Sequence, residues 1–70
     1  MPIRVINDNR SRSVLQHLDW CNECFGPGPK IESEHLAEKY RWCYKYTGFG
    51  IYVFYFQSEA DYMFYLLRWP

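Results

Sequence analysis

The chain has 70 residues, 49% of them apolar, and its eight basic and eight acidic side chains cancel to zero net charge. A chain this short forms one domain, residues 1–70, which buries only about 60% of the surface exposed when unfolded. Length and apolar content exclude two domains, a large enzyme cleft, a repeat array and a disordered tail. The aromatic content stands out, at three Trp, seven Tyr and five Phe. Each such ring buries about 150–250 Å², so a small core cannot absorb them all. Several must reach the surface, where contiguous apolar patches mark an interface.

Neutrality argues against an electrostatic nucleic-acid binder, which shows a basic domain or stripe. The charges are uneven, with Arg4, Arg10 and Arg12 near the start and Glu32, Glu34 and Glu38 in the middle. Solvated faces are the simplest reading of both. The longest apolar runs, 51–56 and 62–67, fall far short of the roughly twenty residues of a membrane span. No membrane association is therefore expected. The opening MPIRVINDNR lacks the apolar stretch of a secretory signal. Three cysteines without such a signal read as free thiols in a reducing cytosol.

In chain order, the β-branched run Ile3–Ile6 reads as a strand, closed by the turn-forming Asn7, Asp8 and Asn9. Ser13 and Gln16 then have the spacing of a capping box. Val14, Leu18, Cys21 and Phe25 recur as one helical stripe of about twelve residues. Gly26-Pro27-Gly28-Pro29 stops that helix. Residues 30–39 read as a short helix or an ordered loop, with only Leu36 and Ala37 able to anchor it. From Tyr40 to Tyr46 the chain alternates, placing Tyr40, Trp42, Tyr44 and Tyr46 on one side and Arg41, Cys43 and Lys45 on the other. The turn Thr47-Gly48-Phe49-Gly50 leads into the strand Ile51–Phe56, completing a hairpin. Ser58 is placed to cap a last helix that carries acids in its first turn and is closed by Pro70.

The order predicts an α+β two-layer sandwich: a small antiparallel sheet with two helices on one face. Its β-α-β-β-α order is that of a ferredoxin-like fold truncated by one strand. The last helix has two apolar stripes. Tyr62, Tyr65, Leu66 and Trp69 form one, and Ala60, Met63, Phe64 and Leu67 the other. A helix packed on a sheet needs one stripe. The second is covered by the first helix or by residues 30–39, or else it is a partner or self-association surface. Met63, Phe64 and Leu67 are thus the first candidates for protein binding. The ladder Tyr40, Trp42, Tyr44 and Tyr46 is more apolar than its reverse side and so belongs first to the core. Its surplus comes second as a binding surface, because four large aromatics exceed what one helix layer covers.

Chemistry is harder to find. Cys21, Cys24, His35 and Cys43 could be drawn as a zinc set with His17 beside them. Only one closely spaced pair exists, however, and Cys21 sits in the core stripe as a small hydrophobe. The C-x-x-C pair lies at the wrong end of its helix for redox work. The prolines of Gly26–Pro29 remove the N–H groups that a phosphate cradle needs. No cofactor and no enzyme activity are therefore expected. Single-strand binding stays as an alternative, with aromatics stacking bases and Arg4, Arg41, Lys45 and Arg68 meeting phosphates.

The segment Tyr52–Trp69 resembles the end of many small uncharacterised bacteriophage proteins, where Y-x-F-x-F runs through S/N-E-x-D-A into F-K-L-R-W. Tyr52, Phe54, Phe56, Glu59, Asp61, Leu67, Arg68 and Trp69 match, and Tyr65 replaces the Phe. Tyr62 stands in place of Ala and Leu66 in place of Lys, which makes this helix more apolar. The resemblance covers a quarter of the chain and implies a phage protein acting in the host cytoplasm. By analogy it would bind a host protein, such as a defence or metabolic factor, or belong to the virion as a minor component.

Overall fold

The described residues form three strands and two α-helices, in the order β1 (Ile3–Asp8), α1 (Val14–Phe25), β2 (Trp42–Gly48), β3 (Ile51–Phe56) and α2 (Glu59–Arg68). A 3-10 helix, Glu34–Lys39, precedes β2. The structure, a computed structural model, describes residues 3–8 and 14–69, with the backbone alone for residues 7 and 8. The turn residue Asn9, the capping residue Ser13 and the closing Pro70 lie outside the described residues.

The sheet has the order β1-β3-β2. Both pairings are antiparallel, so β1 and β2 run the same way on either side of β3. β1 extends two residues past Ile6, because residues 7 and 8 continue the ladder opposite Tyr52 and Ile51. Pairing outweighs the weak strand preference of Asn and Asp. β2 begins later than the alternation suggested. Tyr40 instead closes the 3-10 helix, donating its N–H to the Ala37 carbonyl at 3.4 Å.

As expected for an α+β domain, both helices lie on one face of the sheet. Val14, Cys21 and Phe25 of α1 and Tyr65 of α2 bury against Trp42, Phe54 and Phe56. The opposite face is also covered in part. Ile31 and Ala37 form a second core there with Cys43, Val53 and Tyr55, and Leu36 packs alongside. The cover is fixed by backbone bonds. Ile31 donates to the Tyr44 carbonyl at 2.8 Å, and Tyr44 donates to the Pro29 carbonyl at 3.1 Å. These bonds occupy the outer edge of β2, and β1 forms the other edge of the sheet.

α1 stops where glycine permits it. Gly26 takes φ +86° and donates its N–H to the Asn22 carbonyl at 3.1 Å. The chain then folds over Trp42, whose indole N–H donates to the Gly26 carbonyl at 2.6 Å. Gly28 lies so close to that indole that a Cβ there would overlap the ring.

His17 occupies the core stripe more fully than Leu18 does and is 2% exposed. Its Nδ1 lies 2.7 Å from the Tyr65 hydroxyl, and its ring stacks on Trp69 at 3.9 Å. A buried imidazole is tolerated when such partners satisfy it.

Candidate protein-binding surface

α2 is built to hold its inner face in place. The Ser58 side chain accepts the Asp61 N–H at 3.1 Å, and Glu59 and Asp61 supply acids to the first turn. Arg41 grips Asp61 with two bonds, Nε to Oδ2 at 2.8 Å and Nη2 to Oδ1 at 3.2 Å. The same guanidinium lies 5.3 Å from the centre of the Phe25 ring. One arginine thus ties the start of α2 to the end of α1.

With the inner stripe fixed, the outer one faces away from the sheet. Met63 is 52% exposed, Phe64 50% and Leu67 79%, with Ala60 also exposed. Phe64 rests its inner edge on α1, 5.3 Å from the Trp20 ring and 6.1 Å from Phe25. The first helix therefore supports the stripe without covering it. Residues 30–39 are on the other side of the sheet.

The ladder divides. Trp42 is 1% exposed and belongs to the core, so it cannot present itself to a partner. Tyr44 is half-buried, while Tyr40 and Tyr46 are exposed. Alternation puts residues on a face but does not say how far the covering layer reaches along it. Two surface features had no strong sequence signal. Trp20 lines a groove of about 350 Å³ with Gln16, Asp19, Glu23, Arg68 and Trp69. Phe49, at the hairpin tip, is 92% exposed and sits at φ +56° between two glycines that are also in the left-handed region.

The zinc set does not assemble. Cys21 lies in the core under the helices, and Cys43 lies in the core on the opposite face of the sheet. Cys24 is exposed on α1, and His35 hydrogen-bonds Ser33 at 2.7 Å. Among the described residues no group of three potential ligands comes together. Nor is any described helix long and apolar enough to cross a membrane.

Burial pushes the Cys21 thiol up to about 12, helped by nearby Cys24, and burial pushes the Cys43 thiol up to about 11. Both shifts penalise the thiolate in the folded state only. Their contribution to stability is whole below 9.0, the ordinary thiol value, and is lost as pH rises toward the folded values. Thiol titration with Ellman's reagent near pH 8 should therefore find one reactive cysteine, Cys24, in the native protein and three in denaturant. Fast reaction of Cys21 or Cys43 in the native state would contradict this burial.

Compared with family models, curated proteins and solved structures, the chain finds no match.

Proposed function

We propose that the protein is a non-enzymatic phage accessory protein that binds a host protein in the host cytoplasm through the outer stripe of α2. The observation that carries this reading is the row Met63, Phe64 and Leu67, each at least half exposed on a helix whose other stripe holds the core. Large apolar side chains held in this way serve as anchors for a partner. Tyr40 and Tyr46 are the ladder residues with the most surface to offer, and Tyr44 is half-buried. The resemblance of Tyr52–Trp69 to phage proteins supports the phage setting, and binding that inhibits or redirects a host factor fits it. A ferredoxin-like fold lacking its last strand is the finer reading of the domain, supported by β3 lying between β1 and β2.

Single-strand binding has less support. Arg41 is held by Asp61, and Arg4 lies 3.6 Å from Glu34, so two of its four phosphate-contacting cations are already engaged. A minor virion role would show as co-purification with particles. The deciding experiment is affinity capture from host lysate with the natural chain and with a Met63→Ser/Phe64→Ser/Leu67→Ser variant, read by mass spectrometry. A captured host protein should be lost by at least tenfold with the variant, while its thermal unfolding stays close to that of the natural chain. Equal capture by both chains would overturn the reading.

A further inference from the structure

The two edges of the sheet are finished differently. The β2 edge is closed by the segment 29–31, through the Ile31 and Tyr44 N–H bonds. Among the described residues no strand or loop pairs with the outer edge of β1. Such an edge offers a row of N–H and C=O groups to another strand, and proteins blunt it with prolines, lysines or bulges. β1 has none of the three. Its sequence is Ile-Arg-Val-Ile-Asn-Asp, and all six residues follow β3 in unbroken register.

The order of residues in the strand says what fits it. Positions 4, 6 and 8 alternate onto one face. That face is the one carrying the second core, since Arg4 pairs with Tyr55 and Ile6 with Val53. Ile6 is 67% exposed there. Two copies joined edge to edge about an axis normal to the sheet keep their faces aligned, so each residue falls opposite one of the same face. Centring the pairing on Arg4 would set arginine against arginine, and centring it on Val5 or Asn7 would set a charge against Ile6. Centring it on Ile6 puts position 4 opposite position 8 at both ends, arginine against aspartate, with isoleucine against isoleucine between them. Opposite charges and apolar pairs directly across two strands are the favourable combinations. Arg4 already lies 3.6 Å from Glu34, both side chains being 57% exposed, and a guanidinium keeps donors for a second carboxylate.

We propose that the protein forms a two-fold dimer by antiparallel β1–β1 pairing centred on Ile6, which joins two three-stranded sheets into one continuous sheet. The contact is isologous, and the β2 edge of each copy is already occupied, so association closes at two. It uses no residue of the α2 stripe and stands independently of the host partner.

Light scattering and sedimentation over a concentration series test it. The natural chain should rise with concentration to twice the monomer mass and no further. Arg4→Glu sets acid against acid at both ends of the pairing, and Asp8→Lys sets cation against cation. Each alone should weaken dimerisation at least tenfold. Mixed in equal amounts, the two variants regain an opposite-charge pair at each end and should form a dimer again. Ile6→Lys brings two lysines together at the axis and should leave a monomer; the site is exposed, so its thermal transition should be retained. A natural chain that stays monomeric would leave the edge to a foreign strand and overturn the proposal. So would growth beyond two copies, a dimer undisturbed by Ile6→Lys or by either charge variant, or a mixture that does not recover.

Discussion

Replacing Trp42 by alanine is expected to abolish cooperative unfolding. Removing a fully buried Trp costs about 3–5 kcal/mol, and a core in a chain this small supplies only about 3–5 kcal/mol in total. Trp42 is 1% exposed, sits among Tyr44 and Phe54, and donates to the Gly26 carbonyl that ends α1. Its loss therefore empties the core and releases the Gly26–Pro29 turn together. Trp42→Phe keeps a ring and loses mainly that bond, an effect of about 1 kcal/mol. Gly28→Ala attacks the same contact from the other side, because its methyl would overlap the indole. Such overpacking costs about 1–3 kcal/mol. Chemical denaturation followed by circular dichroism should rank the three, with alanine at position 42 the most damaging. A cooperative Trp42→Ala variant would show that the helix-side core does not depend on this residue.

Ile31→Ala should cost about 2–4 kcal/mol, although Ile31 stands in a stretch with little helical or strand pattern. The side chain is 4% exposed and closes the second core over Cys43, Val53 and Tyr55. Its backbone bond to Tyr44 survives the change, so the loss reads packing alone. Denaturation midpoints measure it. A cost below about 0.5 kcal/mol, the usual size for an exposed site, would mean that the far face of the sheet is only loosely covered.

The helix stripe, the helix ends and the hairpin were readable because each rests on neighbouring residues. Val14, Cys21 and Phe25 lie one above another on α1, and Ser58 meets Asp61 three residues on. The second core was not readable, because Ile31 reaches it only when Pro29–Ile31 lies alongside β2, parallel to it. One clue was present. Val53, Phe54, Tyr55 and Phe56 form an unbroken apolar run and are all buried; such a run is the mark of a strand covered on both faces. For the binding surface, the two-stripe pattern of α2 pointed to Met63, Phe64 and Leu67. The core reading of the ladder holds for Trp42, but alternation gives a face without a depth and so did not say which of its rings would be left at the surface. Trp20, at a polar-flanked position in α1, and Phe49, hidden in a turn, emerge as surface features only from tertiary structure.

Among the described strands the central one is made last. β2 meets β3 across a tight turn, Gly48 facing Ile51, whereas Ile3 must wait for Phe56, beyond α1 and the hairpin. During synthesis β1 emerges first and has no pairing partner until β3 follows. The hairpin can close within microseconds, but the described sheet is completed only when β1 docks on β3 across the intervening helix and hairpin, which makes that long-range pairing the slow step in its assembly.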